Sequence, residues 1–264
     1  MSSAYWIERT SSDFSTRDMS RVIAVLPVAA IEQHGPHLPL GVDAMIMEGC
    51  LDRVLPLLPR DIETIFLPIQ SIGVSLEHRD FAGTLTLSPE TGSRLLGDIA
   101  EGVFRSGVRK LVLMNSHGGN SALISQLALD LRSRFAALAV TCSWSRFGYP
   151  DGLFDPEEIR HGIHGGAIET SLMLAFRPDL VDMGRARHFA PRTHDFERRF
   201  RWLRADRPAA FGWMAQDLSP AGAMGDATRA SAALGEKLAD YWATSFIELL
   251  QDVAAFDLAL LKSL

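Results

Sequence analysis

The sequence predicts an α/β protein built on a mostly parallel central sheet, and three observations lead there. Short, continuous apolar runs rich in β-branched residues alternate with longer stretches of helical periodicity. The alternation repeats through the first half of the chain, as it does when parallel strands are joined by crossover helices. Polar and unusual residues also collect directly after the strands, at the carboxyl edge where open α/β sheets keep their functional groups.

The first buried strand is "RVIAVLPVAA", residues 21–30, and it runs into "EQHGPHLPLGVD" at 32–43. A helical pattern follows over 43–58. "TIFLPIQSIG" (64–73) is the second strand, trailed by "GVSLEHRDFAGT". The helix over 88–107 is well punctuated: Ser88 at its start, Pro89 in the first helical position, Glu90 next and Gly107 at its close. "KLVLMNS" (110–116) is the third strand and leads through "NSHGGN" into a helix at roughly 120–135. "ALAVTCSWS" (137–145) is the fourth, followed by "RFGYPDG". A short helix is expected over 166–176 and a long amphipathic one over 229–251, packing across the sheet. Between them, 177–228 reads as irregular and rich in Pro, Gly and Arg, with "HDFERRFRWLRADRP" at its centre. Without an internal repeat or low-complexity run, residues 1–264 read as one domain.

Composition narrows the range of partners. Acidic residues outnumber basic ones by 32 to 26, a formal net charge of −6, which argues against a nucleic-acid binder. The N-terminus lacks the basic segment and apolar run of a signal peptide, and no apolar stretch approaches the ~20 residues that span a bilayer, so the cytoplasm is the expected compartment. Cys50 and Cys142 each sit in an apolar stretch and read as reduced core thiols rather than a disulfide.

The chemistry concentrates in three segments. Residues two apart in an extended chain face one side, so Glu32 and His34 project together, and Asp43 follows where a helix begins. A mixed carboxylate and imidazole set suits Zn²⁺, Mn²⁺ or Fe²⁺, and Pro36 and Pro39 stiffen the loop that carries it. Each residue alone has a structural alternative. Asp43 could cap its helix, and a histidine beside a strand is more often a satisfied core group. Grouped at the mouth of a sheet, the ligand reading prevails. "NSHGGN" brings His117 to the end of the third strand; a Gly-rich phosphate loop is the alternative, but neither phosphate-binding glycine pattern occurs. "HGIHGGAIETS" (161–171) offers Glu169 near the start of an apolar helix, where a carboxylate is unexpected unless paired or bound. His164, five residues earlier, could reach the same cavity as a proton carrier, whereas His161 reads as peripheral.

These pieces in this order resemble the creatininase family of metal-dependent amidohydrolases. The resemblance rests on "EQHGPHLPLGVD", "EHRDFAGTLTLS", "NSHGGN", "HGGAIETS" and "GAMGDATRASAALGEK", which together span about residue 25 to about 240. It implies a three-layer α/β/α sandwich with two divalent metals at the strand ends. Glu32, His34, Asp43, His117 and Glu169 are the implied ligands, with Asp43 a candidate bridge and a hydroxide held between the ions. In such a site one metal lowers the pKa of a bound water to ~7 while a second polarises the substrate carbonyl. Neutral His164 would pass the proton to the leaving nitrogen. Gly118 and Gly119 would let backbone amides approach the oxyanion, and Glu77 and His78 would line the pocket, of their own chain or of a neighbouring subunit in a homo-oligomer such as a hexamer.

Two departures point away from creatinine as the substrate. Creatininase proper resembles His-Tyr-Glu-Asn where this chain has His117-Gly118-Gly119-Asn120, and it has a Trp where Arg160 stands. The His-Gly-Gly-Asn version resembles other branches: formamide hydrolases of flavin-type biosynthesis, the peptidase of mycofactocin maturation and hydrolases of cyclic polyol ketones. The expectation is a dinuclear hydrolase of a C–N bond in a small cyclic amide or formamide. The alternatives are C–C cleavage in a cyclic ketone or diketone and a non-catalytic, metal-stabilised oligomer. Arg160 and the arginine-rich segment 192–207 read first as a solvated subunit contact and second as a lid for an anionic substrate.

Overall fold

A computed structural model describes residues 3–262. In chain order the elements are α1 (Ser11–Ser15), β1 (Ile23–Val28), α2 (Val42–Val54), β2 (Thr64–Phe66), α3 (Pro89–Arg105), β3 (Lys110–Asn115), α4 (Ser121–Arg134) and β4 (Leu138–Ser143). After these come α5 (Pro156–His161), α6 (Ala167–Phe176), β5 (His188–Phe189), α7 (Thr193–Arg199), β6 (Leu203–Arg204), β7 (Ala209–Ala210), α8 (Ala215–Leu218), β8 (Gly225–Asp226) and α9 (Ala232–Ala255).

The central sheet is parallel throughout, in the order β2-β1-β3-β4. Strands β1 and β3 are buried along their full length, as their unbroken apolar sequences require. Alternate side chains feed two separate cores. Ile23, Val25, Val112 and Met114 pack against α2, α6 and α9, while Ala24, Leu26, Leu111 and Leu113 pack against α3 and α4. The result is an α/β/α sandwich of three layers. Cys50 and Cys142 are both free and lie in the first of these cores.

The second strand is shorter than its apolar run suggests. Pairing with β1 stops at Phe66 and resumes only as a single bridge between Val28 and Gln70. Pro68 lies in the gap and has no N–H to give the ladder. Helix α3 follows its punctuation closely, with Ser88 Oγ accepting from Thr91 N at 3.2 Å. The segment 177–228 holds α7, α8 and two-residue strand pairs, more structure than its composition announces. The six-residue α5 was not anticipated at all. Among the described residues no helix is long and apolar enough to cross a membrane.

Strand order fixes where a site can form. The chain leaves β1 for β2 on one side and returns to place β3 on the other, so the connections diverge between the carboxyl ends of β1 and β3. That divergence opens a crevice in sheets of this kind.

Candidate functional site

Side chains from four segments meet in that crevice. Glu32 and His34 come from the turn after β1, Asp43 from the first turn of α2, His117 from the residue preceding the 3₁₀ turn Gly118–Asn120, and Glu169 from the first turn of α6. Gly35, with φ +78°, lets the chain reverse directly behind His34, and any side chain there would press on Ala223. Asp43 does not cap its helix: Gly41 occupies that position, and Asp43 lies one residue inside, where the helix dipole favours a negative charge.

The two oxygens of Asp43 face different partners. Oδ1 is 3.7 Å from His34 Nε2, which in turn is 3.9 Å from Glu169 Oε2. Oδ2 is 3.4 Å from His117 Nδ1, which is 3.2 Å from Glu32 Oε1. Asp43 therefore joins two clusters of donors. Glu32 Oε1, His34 Nε2 and Asp43 Oδ2 are fully buried and have no hydrogen-bond partner. Burying such atoms unpaired is costly, so their convergence calls for a counter-ion. Every ion pair made by Glu32, Asp43 and Glu169 among the described residues is with a histidine, leaving no Lys or Arg to balance three carboxylates. The mixed N/O donor set, free of thiolate, fits a borderline divalent cation.

Outer contacts orient the imidazoles. His34 Nδ1 donates to Glu32 O at 3.1 Å and His117 Nε2 donates to Val74 O at 3.1 Å. Each ring thus turns its other nitrogen into the cluster, where it can ligate once its proton is displaced. His164 Nε2 donates to the Gln33 carbonyl, leaving Nδ1 3.6 Å from Glu32 Oε1. Its ring lies between those of His34 and His78, with centroids 4.1 Å from each. Gln33 Nε2 donates to His78 Nδ1 at 2.7 Å and to Gly222 O at 3.0 Å, so this buried amide steadies the rear of the cluster.

Charge follows contact. Burial opposes charge on His34, but Asp43, Glu169 and Glu32 raise its pKa to about 9. The same opposition at His117, won by Glu32, Asp43 and Glu77, lifts it to about 10. Burial and then Glu32 push Asp43 up to about 6. Burial favours a neutral Glu32, but His117, His164 and His34 hold it well below the usual carboxylate range. Burial and the neighbouring His34 depress both His164 and His37 to about 4, and burial with His164 depresses His78.

These shifts give chelator-treated protein a stability maximum near pH 6.5. Below that value the unfolded chain binds protons that neutral His37, His78 and His164 refuse, so stability falls toward pH 4, with Asp43 and Glu77, both raised chiefly by burial, opposing the trend. Above it, the folded chain holds protons on His34 and His117 that the unfolded chain has lost, so that contribution fades as pH rises through about 9 and about 10. Urea midpoints measured from pH 4 to 10 in EDTA test both limbs; a flat profile would contradict the charge assignments.

Other expected residues are placed as follows. Gly118 and Glu169 line a cavity of about 360 Å³ that opens onto the cluster, together with Trp144, Arg146, Tyr149 and Trp242. Glu77 Oε1 stands 3.4 Å from His117 Nε2, and His78 Nε2 3.7 Å from Glu32 Oε1, yet neither lines that cavity, nor does His164. A Cβ at Gly119 would lie 2.5 Å from both Glu77 Oε1 and His117 Nε2, so the loop has closed over the space a side chain would need. Arg160 points away from the group: it is exposed and ion-paired at 2.7 Å with Glu197.

Asn120 was not singled out from the sequence, although it ends the "NSHGGN" run. Its Nδ2 donates to Ala29 O at 3.0 Å and Asn115 Oδ1 at 3.1 Å, and its Oδ1 accepts from Val74 N at 2.9 Å. It ties the ends of β1 and β3 to the loop carrying Glu77. Asn120→Ala leaves Ala29 O and Val74 N unpaired, while Asn115 Oδ1 keeps the His117 N–H, and a loss of about 1–3 kcal/mol in urea denaturation is expected; an unchanged midpoint would show that water replaces the amide.

Comparison with known proteins identifies the family of the chain. The profile of the creatininase family, described as creatinine amidohydrolase, matches residues 8–250. The creatinine amidohydrolase of Pseudomonas putida is 34% identical over 193 residues, 65% of this chain and 70% of that protein. The mycofactocin precursor peptide peptidase of Mycolicibacterium smegmatis is 31% identical over 221 residues, 82% of this chain and 79% of that protein. Among solved structures, a Zn–Zn form of a creatininase mutant superposes with a TM-score of 0.75 at 27% identity, covering 96% of this chain and 98% of that one. A manganese form of creatininase superposes at 0.72 with 25% identity, covering 95% and 98%. The chain belongs to the creatininase family of metal-dependent amidohydrolases.

Proposed function

We propose that Glu32, His34, Asp43, His117 and Glu169 hold two divalent cations, Zn²⁺, Mn²⁺ or Fe²⁺, with Asp43 as the shared ligand, and that the chain hydrolyses a C–N bond in a small cyclic amide or formamide. The observation that carries this reading is the trio of buried, unpartnered atoms on Glu32, His34 and Asp43. Bound there, such cations bring the pKa of a coordinated water toward neutrality and polarise a carbonyl oxygen.

The chain's own residues supply the rest. Trp144, Tyr149 and Trp242 give the cavity apolar walls, and its volume of about 360 Å³ suits a small molecule. Arg146 is the one guanidinium on that wall. His164, neutral at pH 7, keeps its Nδ1 lone pair against the cluster, takes up a proton there and returns it to the leaving nitrogen. Gly118 leaves its backbone open to the substrate oxyanion. The closed loop at Gly119 has no room for the acidic residue of His-Tyr-Glu-Asn, which argues against creatinine as the substrate. The reading carries with it a small-molecule substrate, a cytoplasmic setting and a homo-oligomer, the last to be checked by sedimentation.

The test is a panel of lactams, formamides, a short peptide and cyclic polyol ketones presented to zinc- or manganese-loaded protein. Turnover of a lactam or formamide is expected, abolished by EDTA. His164→Asn should keep the metal and lose about 10²–10⁴-fold in kcat. Cation binding should also displace the protons on His34 and His117, so affinity rises with pH and the alkaline loss of stability disappears. Protein that takes up no metal and turns over nothing would refute the reading; turnover of the ketone alone would move the scissile bond to C–C, and of the peptide alone to a peptide bond.

A further inference from the structure

A second group of donors, sharing no residue with the central cluster, joins two short helices. Glu157 and His161 stand four residues apart on α5, and His194 and Glu197 three apart on α7, spacings that put each pair on one helix face. His161 Nε2 is 3.8 Å from Oε2 of Glu157 and 3.8 Å from Oε2 of Glu197. His194 Nδ1 is 3.6 Å from the same Glu157 oxygen. Donor atoms of Glu157, His161 and His194 all lie within 4.8 Å of one another. A tetrahedron with metal–ligand bonds of about 2.0–2.1 Å has edges of about 3.3–3.4 Å, so these side chains need to move only slightly to close on one ion.

The group also has the outer contacts such a site requires. His161 is buried, and its Nδ1 is hydrogen-bonded to Thr193 Oγ1 at 2.9 Å, which presents the Nε2 lone pair to the carboxylates. Burial and the adjacent His194 lower its affinity for a proton, which favours the neutral, ligating form. Glu197 Oε1 is engaged by Arg160, at 2.8 Å from Nε and 2.7 Å from Nη2, and more distantly by Arg204 at 3.9 Å. Those guanidiniums hold the carboxylate in place and leave Oε2 turned to His161.

We propose that Glu157, His161 and His194, with Glu197 as the fourth donor, form a separate structural site for Zn²⁺ or a similar divalent cation that staples α5 to α7. Four protein donors leave no open position, which is the pattern of a structural rather than a catalytic ion. The staple bears on the central cavity: Ile159 on α5 and Gly162 and Ile163 just beyond it line one wall, and Asp206, downstream of α7, lines another. Fixing the two helices together would fix that wall.

The experiment is elemental analysis of full-length protein loaded with zinc alone and freed of excess metal. His194→Ala and Glu157→Gln should each hold one zinc equivalent per chain fewer than the parent. The Glu32→Ala/His117→Ala protein, with its central cluster dismantled, should keep one equivalent and lose it when His194→Ala is added. With Co²⁺ in place of zinc, that remaining equivalent should give the visible absorption of tetrahedral cobalt. Equal zinc content in parent and His194→Ala protein overturns the proposal; if the double variant does not fold, that comparison alone decides. A parent that holds a single equivalent, lost with His194→Ala, would sustain this site and refute the central one.

Discussion

Asp43→Asn is expected to reduce turnover by at least about 10³-fold, to remove metal from the protein, and yet not to lower the stability of chelator-treated protein. Asp43 turns a different oxygen to each donor cluster, with Oδ1 3.7 Å from His34 Nε2 and Oδ2 3.4 Å from His117 Nδ1. An amide keeps the shape but loses the charge and one acceptor, so neither half of the site retains its full donor set. Removal of a single oxyanion donor commonly costs about 10²–10³ in kcat, and loss of a shared ligand should cost no less. The stability arm runs the other way. Burial and Glu32 raise the Asp43 pKa to about 6, so at pH 7 its ionised form is a strain on the metal-free fold that asparagine relieves. Metal content, kcat and the urea midpoint in EDTA test the three parts together; a variant with full metal and normal turnover would remove Asp43 from the site.

Gly235→Ala should destabilise the protein by about 3 kcal/mol, against the helix propensity of the two residues. Alanine is favoured over glycine in a helix interior by roughly 1 kcal/mol, and position 235 lies in the 24-residue helix α9. But α9 crosses α6 at that glycine, where a Cβ would overlap the Ser171 carbonyl, with its carbon 2.5 Å away and Leu172 N 2.9 Å away. Those atoms are backbone and cannot rotate aside, so the helices must separate, an overpacking cost of about 1–3 kcal/mol and occasionally more. A fall in Tm of roughly 6–12 °C is expected for a chain of this length. A rise in Tm would show that α9 slides freely on α6. Because α6 carries Glu169 in its first turn, the shift should also weaken metal retention.

Much of this was written in local sequence. Strands β1 and β3 were legible from unbroken apolar runs, and α3 from Ser88, Pro89 and Gly107. The donors were legible because carboxylates and imidazoles stand out directly after such strands. Strand order was not, since adjacency of β1 and β3 depends on packing across the whole sheet. The cavity wall was read poorly for a similar reason. Arg160 drew attention by matching a family position, but it sits on the outer side of α5 against Glu197. Arg146 lines the cavity instead, and the signal for it was its place in the polar run after β4. Helix α5 also left a readable mark: Asp155 accepts from Glu157 N at 3.0 Å ahead of Pro156 in the first helical position.

The divergence of the chain between β1 and β3 divides labour along the sequence. Residues 32–43 and 117–120 follow the two central strands, β1 and β3, whereas Trp144, Arg146, Tyr149, Ile159 and Ile163 lie on the single connection from β4 to α6. The portion that reacts and the portion that selects are different stretches of polypeptide. Exchanging 144–149 and 159–163 for those of a relative would therefore retarget the catalyst while its reactive heart stays as it is.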